Sequence, residues 1–187
     1  MTDDRARLAR TPWRQRSTRP VYTNPWIRVR EDIVELPDGR TTIYGVIECP
    51  GAVGVLPFLD PETVVLVGQY RYVSGEFSWE IPTGGLHAGE TEEAAVQREL
   101  AEEAGYHAER LRKVCAFHTS KSVMRETAHI YLAEGLTPAP RDGGDHTEFI
   151  EVRAFPFGEA LGMVVADEIK DAMTVVAILH AARLRGR

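Results

Sequence analysis

The stretch GGLHAGETEEAAVQRELAEEAGY, residues 84–106, decides how the rest of the chain is interpreted. Within it, residues 91–104 contain no Pro or Gly and are rich in Ala, Glu, Gln, Arg and Leu, which predicts a helix. Glu90 or Thr91 begins this helix, and Gly105 stands where a left-handed residue ends it. The expected buried stripe of the helix consists of Val96, Leu100, Ala101 and Ala104.

Acidic residues crowd the end of this predicted helix. Glu99, Glu102 and Glu103 lie in its last turn, where the helix dipole disfavours negative charge. Glu99 and Glu103 are four residues apart, and such a like-charge pair costs roughly 0.2–0.5 kcal/mol in an isolated helix. Arg98 can pair with Glu102, which leaves two carboxylates without a cation. Two explanations are open: a solvated acidic face, or carboxylates that bind a hard divalent cation through oxygen.

The spacing of the fixed residues favours the second explanation. They follow the pattern G-x5-E-x7-R-E-U-x-E-E-x-G-U, where U is apolar or aromatic, and this resembles the Nudix box at every fixed letter. At roughly 6% usage per residue type, such a match occurs by chance about once in 10⁸ positions or less often. The matching residues are Gly84, Glu90, Arg98, Glu99, Leu100, Glu102, Glu103, Gly105 and Tyr106.

The resemblance implies an enzyme that hydrolyses a nucleoside diphosphate linked to another group, with Mg²⁺ or Mn²⁺ as its cofactor. It implies a catalytic role for Glu102 and Arg98, and Glu90 joins Arg98 in fixing the helix against the preceding loop. The implied fold is an α/β/α sandwich with a mixed sheet. The implied metal ligands are Glu99, Glu103, Glu102 and the backbone carbonyl of Thr83.

A second resemblance lies just before the box. The sequence VLVGQYRYVSGEFSWEIPTGGL, residues 65–86, resembles the ADP-ribose pyrophosphatase branch of this family. That likeness implies that Arg71 contacts a substrate phosphate and that Glu80 supports the metal or the attacking water. It also implies that Trp26 and Tyr44 stack on the adenine. The alternatives are a surface strand position for Arg71 and a core or interface position for the two aromatic residues.

The same branch takes its general base from a loop that follows the helix. Here TSKSVMRETAHIYLAEGL, residues 119–136, offers Glu126, which the resemblance makes the base for the attacking water. The loop departs from the branch at Ser120-Lys121, and Lys121 could bind a phosphate or a carboxylate. Three functions therefore stay open: hydrolysis of ADP-ribose, hydrolysis of another nucleotide sugar such as a GDP-sugar, and ligand sensing without catalysis.

Composition sets the class of protein. The 187 residues are 43% hydrophobic and 27% charged, as in a soluble globular protein. Six arginines and two aspartates fall within residues 1–19, so the rest of the chain is more acidic than the net charge of −6, which argues against a nucleic-acid partner. No apolar run is long enough to span a membrane. Cys49 and Cys115 show no metal-ligand spacing, so we expect reduced thiols in the cytoplasm.

The rest of the sequence predicts three segments, and most of the secondary structure predicted in them is β-strand. Residues 1–19 form a flexible Arg-rich tail or an arm that orders on a partner, residues 20–50 a β segment for dimerisation and base binding, and residues 51–187 the Nudix catalytic domain. A homodimer is expected, because the branch exchanges that β segment between two copies. Pro37-Asp38-Gly39 predicts a turn in the β segment. Further predicted elements are strands at 53–58, 63–69, 77–81, 114–117, 128–133 and 149–155, a loop at 135–147 and a closing helix at 167–185.

Overall fold

The computed structural model describes residues 2–141 and 149–186. The chain forms two compact units, the first comprising the chain up to Pro50 together with His118–Glu126, and the second comprising Gly51–Phe117 and the chain from Thr127 onward. The elements in chain order are α1 (Thr2–Arg10), β1 (Arg14–Thr23), β2 (Arg28–Glu35), β3 (Thr41–Glu48), β4 (Ala52–Asp60), β5 (Thr63–Arg71), β6 (Glu76–Glu80), β7 (Thr83–Gly85), α2 (Glu92–Glu99), a π-helical turn (Leu100–Ala104), β8 (Tyr106–His118), β9 (Met124–Arg125), β10 (Thr127–Pro138), β11 (Glu151–Pro156), α3 (Phe157–Val165) and α4 (Ala172–Leu184).

The first unit is built on a four-stranded sheet with the strand order β1-β2-β3-β9. Strands β1, β2 and β3 are antiparallel, and β9 runs parallel to β3. The turn predicted at residues 37–39 joins β2 to β3: Gly39 has φ 86°, and the Leu36 N–H donates to the Arg40 carbonyl at 2.8 Å. This confirms the turn, because a positive φ is a conformation that glycine adopts without steric strain.

Residues 2–10 and 14–23 form α1 and β1, which differs from the unstructured tail expected at residues 1–19. Cross-strand ion pairs explain the difference. The Arg16 guanidinium bonds Glu35, and the Arg19 guanidinium bonds Glu31 at 2.9 Å, both acids belonging to β2. The arginines therefore match acids that lie 12 and 19 residues away in sequence, so their local charge excess does not show that the segment is disordered.

The second unit is built on a mixed seven-stranded sheet. Its main path has the order β11-β5-β4-β10-β8, with β6 paired to β5 and β7 paired to β4. Strand β4 is parallel to β10 and antiparallel to β5 and β7. Because β7 carries the first glycines of the quoted stretch, its pairing with the N-terminal half of β4 fixes that stretch against the middle of the sheet.

Both faces of this sheet are buried, and successive residues of the central strands face opposite sides. Leu56, Leu66 and Ile130 belong to one hydrophobic core, which includes residues of α3 and α4. Val55, Val65 and Tyr131 belong to the other core, which includes residues of α2 and the π-helical turn. A sheet with an apolar layer of helices on each face is the predicted α/β/α sandwich, and the predicted mixed sheet is confirmed.

Four other features differ from the sequence predictions. The strand expected at 114–117 is the end of the longer β8, and α3 was not predicted. The closing helix begins at Ala172, where the Asp171 carboxylate accepts the Thr174 N–H at 2.8 Å. Of the loop expected at 135–147, residues 135–138 belong to β10 and residues 142–147 lie outside the described residues. No helix within the described residues has the length and apolar character needed to cross a membrane.

Candidate active site

The helix of the quoted stretch begins as predicted and ends with a change of winding. The Thr91 side chain accepts the Ala94 N–H at 3.2 Å, which caps α2. From Leu100 onward the backbone winds as a π-helical turn, and Gly105 closes it with φ 76°. The predicted start and end are therefore confirmed, whereas the π-helical turn was not predicted. Such turns occur often at functional sites.

The π-helical turn changes which side chains are buried. Glu99 is only 8% exposed and Glu103 only 3%, whereas Ala101, expected in the buried stripe, is half-buried. A π-helical turn contains more residues than an α-helical turn, so positions four apart stay on one face through residue 104. The predicted stripe was therefore wrong at Ala101. Two carboxylates are buried instead, and both lie against the sheet.

Strand β7 contacts both buried carboxylates. A Cβ atom built on Gly84 would lie 1.9 Å from the Glu99 Oε1 atom, so Glu99 occupies the space that any larger residue at position 84 would fill. The Thr83 N–H donates to the Glu103 Oε2 atom at 2.9 Å. The backbone at residues 83–84 therefore fixes two carboxylates that the sequence predicted as metal ligands.

Arg98 connects the helix to the preceding loop. Its Nε and Nη2 atoms donate to the two Glu90 oxygens at 2.9 Å each, and Nη2 also donates to the Gly85 carbonyl at 3.0 Å. Its Nη1 atom contacts Glu99 and, at 3.4 Å, Glu102. The Arg98 hydrogen bonds lower the pKa of Glu90 to about 2, and Glu90 in turn raises the pKa of Arg98. The contacts expected of Glu90 and Arg98 are present.

Arg71 and Glu80 form an ion pair between β5 and β6. The Arg71 Nε and Nη2 atoms donate to the Glu80 carboxylate, with a shortest distance of 2.6 Å, and Glu80 is buried. The pKa of Arg71 is raised, chiefly by the hydrogen bond to Glu80, with smaller contributions from the charges of Glu103 and Asp171. Arg71 therefore bonds one predicted site residue, Glu80, and lies close enough to another, Glu103, for its charge to raise the pKa of Arg71.

The donor atoms of this cluster suit a hard divalent cation. Glu99 and Glu103 offer buried carboxylate oxygens, and the close approach at Gly84 leaves the Thr83 backbone beside them. Within residues 2–141 and 149–186, no three His, Cys, Asp or Glu residues converge closely enough to enclose an ion. Mg²⁺ is typically held by one or two carboxylates, with water and substrate phosphates as its other ligands, and the residues present fit that mode.

The aromatic residues predicted to bind the base lie in the first unit. Trp26 is 69% exposed, and Tyr44 on β3 is half-buried. The Tyr44 ring meets Trp13 edge-on, with 6.0 Å between ring centroids. A cavity of about 290 Å³ is lined by Trp13, Asp32, Val34 and Tyr44. The position of Trp13 at this cavity was not predicted, and the available signal was an aromatic residue directly before a strand with paired charges.

Glu126, the predicted general base, directly follows β9. The parallel pairing of β9 with β3 ends at Glu48 and Arg125, so Glu126 comes beside Cys49 at the end of β3. Burial and the Glu126 carboxylate both raise the pKa of the Cys49 thiol. Lys121 is exposed in the same loop. The role of Glu126 stays a prediction.

Comparison with known families supports the identification made from the box. The model of the NUDIX domain matches residues 50–174, and the model of the nucleoside diphosphate sugar hydrolase N-terminal domain matches residues 13–47. The two matches fall on the second and the first compact unit, respectively, with the second unit's match beginning at its boundary.

Individual proteins are similar to this chain over most of its length. An "ADP-ribose pyrophosphatase" of Bacillus subtilis is 36% identical, over 86% of this chain and 87% of that protein. A "Methanol dehydrogenase activator" of Bacillus methanolicus is 33% identical, over 87% of this chain and 89% of that protein. A solved structure described as an "ADP compounds hydrolase" has the same fold, with a TM-score of 0.83 and 21% identity over 94% of this chain and 96% of that one. The chain therefore belongs to the Nudix hydrolase family.

Proposed function

We propose that this chain is a metal-dependent pyrophosphatase of nucleoside diphosphate sugars, with ADP-ribose as its preferred substrate and AMP and ribose 5-phosphate as products. The observation that carries the proposal is the burial of Glu99 and Glu103 against β7, in the unit that also holds the Arg71–Glu80 ion pair. The match to the N-terminal domain of nucleoside diphosphate sugar hydrolases and the named ADP-ribose pyrophosphatase relative support the choice of substrate.

The cofactor in this proposal is Mg²⁺ or Mn²⁺. Nudix hydrolases generally use divalent metal ions, and such an ion, when bound, neutralises phosphate oxygens and lowers the pKa of a bound water. We assign its binding first to Glu99 and Glu103, with the Thr83 carbonyl as a further ligand. Glu102 joins them in this proposal once its side chain turns from Arg98 towards the ion. Arg98 and Glu90 hold the helix that carries these acids in a fixed orientation, and this preorganises the site before substrate arrives.

Arg71 and Glu126 act on the substrate in this proposal. Arg71 commits its Nε and Nη2 atoms to Glu80, and we assign its Nη1 atom to a phosphate oxygen. Glu126 removes a proton from the water as the water oxygen bonds to one phosphorus atom. The bond from that phosphorus to the bridging oxygen breaks, and the bridging oxygen leaves with the other phosphate.

Base recognition and assembly complete the proposal. Trp26 and Tyr44 stack on the adenine, and residues 20–50 contribute to a homodimer in the cytoplasm. An exposed Trp side chain is a suitable stacking platform, because its apolar faces lose water when the base binds. Light scattering coupled to gel filtration measures the mass of the assembly, and a monomer at micromolar concentration would contradict the dimer.

A substrate panel tests the proposed activity. ADP-ribose, GDP-mannose and other nucleotide sugars are incubated with the protein and Mg²⁺ or Mn²⁺, and alkaline phosphatase then releases phosphate only from cleaved products. We expect phosphate release from ADP-ribose at the highest kcat/KM. A higher kcat/KM for a GDP-sugar would make that compound, and not ADP-ribose, the preferred substrate. Binding of a compound without cleavage of any of them would instead support a ligand-sensing domain.

A further inference from the structure

Gln69 carries a buried hydrogen-bond donor without a partner. The residue is 6% exposed, and its side-chain Nε2 atom has no hydrogen-bond partner among the described residues. Buried polar atoms in folded proteins nearly always have a partner, and leaving one without a partner destabilises the fold. A ligand that supplies the acceptor would explain why the Gln69 Nε2 atom has no partner in the protein.

Gln69 lies on the helix-packed face of β5 beside predicted site residues. Residues two apart on a strand share a face, so Gln69 shares a face with Val67 and Arg71. Val67 pairs across the strands with Glu80, and Gln69 pairs with Ser78. Because Arg71 reaches back along the strand to Glu80, their ion pair spans the position of Gln69.

The π-helical turn packs against the same strand. It contacts β5, and the charge of Glu103 on that turn contributes to the raised pKa of Arg71. Gln69 thus lies on the strand that carries Arg71, and this strand contacts the turn that carries Glu103, an acid that holds the cation in the proposed function. A ligand that enters here lies between a cation and Arg71, so the acceptor that it offers Gln69 should carry negative charge. Phosphate oxygens are acceptors of that kind.

We propose that Gln69 is a substrate-binding residue whose Nε2 atom donates a hydrogen bond to a non-bridging oxygen of the substrate pyrophosphate, beside Arg71. This inference rests on the proposed function, because it takes a nucleoside diphosphate sugar as the ligand. A purely structural amide would have its partner in the protein itself, so the two roles predict opposite effects on stability when the amide is removed.

The test replaces the amide with an apolar side chain of similar length, Gln69→Met. We measure the Kd of α,β-methylene ADP-ribose by calorimetry in the presence of Mg²⁺ and the Tm of the free protein. Loss of a hydrogen bond to a charged group should weaken binding about tenfold or more. The Tm should stay equal or rise, because an unpaired polar atom leaves the interior. Unchanged affinity, or a loss of affinity with a clearly lower Tm, would overturn the inference.

A matched control uses the same substitution where the amide has partners. The Gln97 side chain bonds both the Ala108 N–H and the Ala108 carbonyl, at 3.0 and 2.7 Å. Gln97→Met should therefore lower the Tm and leave the Kd unchanged, the opposite of the result expected for Gln69→Met. If both variants behave alike, the Gln69 amide is structural.

Two further measurements keep the outcome decisive. If Gln69→Met does not fold, the variant Gln69→Glu is tested in its place, because it keeps the shape of the side chain. It removes the donor and adds negative charge, so it should weaken binding at least as much. Unchanged affinity in Gln69→Glu would also overturn the inference. The wild-type protein separates the two proposals, because failure of the wild type to bind the analogue counts against the proposed function, not against the role of Gln69 within it.

Discussion

The Glu99 carboxylate occupies the position at which a Cβ atom of residue 84 would lie. That atom would come within 1.9 Å of Oε1 and 2.1 Å of the carboxylate carbon, so Gly84→Ala must displace Glu99. We expect a folded protein whose kcat falls about 100-fold, as for other displacements of about 1 Å. Gly158→Ala is the control, because nothing lies within 4 Å of that position. Wild-type turnover in Gly84→Ala would show that Glu99 is not needed in this position.

Glu103→Gln tests the metal assignment. The side chain keeps its size and can still accept the Thr83 N–H, so the Tm should change little. Mn²⁺ affinity and kcat should each fall by more than about 100-fold, the upper range for residues that only support metal ligands. Titration calorimetry with Mn²⁺ and steady-state kinetics give the two values. Glu93→Gln, an exposed acid of the same helix, should leave both unchanged.

Glu126→Gln separates proton transfer from binding. If Glu126 is the base, kcat should fall by about 10²–10⁴-fold while the Kd of a non-hydrolysable analogue stays the same. Arg125→Ala, at the exposed neighbouring position, is the control for general disturbance of the loop. A variant that loses affinity and keeps kcat would instead make Glu126 a binding residue.

Glu90 should contribute a stability that depends on pH. Its folded pKa lies near 2, below the usual value of 4.5, because Arg98 bonds its charged form. A lowered pKa stabilises the fold above pH 4.5, and this stabilisation is lost as the pH falls from 4.5 towards 2. Glu90→Gln should therefore destabilise the protein by roughly 1–2 kcal/mol at neutral pH and by much less near pH 3.

Urea unfolding of both proteins at several pH values measures this difference. Glu109→Gln, at an exposed acid, should change the free energy of unfolding by less than about 0.5 kcal/mol at any of these pH values. A difference between wild type and Glu90→Gln that is as large near pH 3 as at neutral pH would mean that the charge of Glu90 is not what stabilises the loop.

Trp26→Ala tests the base site with little risk to the fold. The indole is 69% exposed, so its removal should leave the Tm unchanged. If the ring stacks on the adenine, KM for ADP-ribose should rise about fivefold or more, since base–aromatic stacking contributes roughly 1–3 kcal/mol. Tyr72→Ala, at another exposed aromatic residue, should leave KM unchanged. An unchanged KM in Trp26→Ala would remove Trp26 from the base site.

Sequence alone predicted the features that depend on local chemistry. The box was identifiable because its fixed letters are adjacent or nearly so, and the Thr91 cap and the Gly105 end follow from local hydrogen bonding. The α/β/α sandwich followed only from the family resemblance that the box carries. The cap and the helix end require no knowledge of distant contacts.

The features that sequence did not predict depend on distant partners or on weak local signals. Strand β1 depends on ion pairs with β2, and the Arg71–Glu80 contact depends on the register of the β5–β6 hairpin. Helix α3 contains Gly158 and Gly162, which disfavour a helix, and its Pro156 cap has no side-chain hydrogen bond. The π-helical turn depends on a one-residue change in hydrogen-bond partner, which composition does not encode.

The winding of residues 100–104 also restricts how this gene segment can change in length. The turn holds more residues than a regular α-helix would need, so a single-codon deletion there could relax it into continuous α-helix. A deletion between Glu99 and Glu103 would leave them three residues apart instead of four, which changes the direction of one carboxylate relative to β7. The segment should therefore accept exchanges at its exposed positions, but natural or engineered variants should keep its residue count.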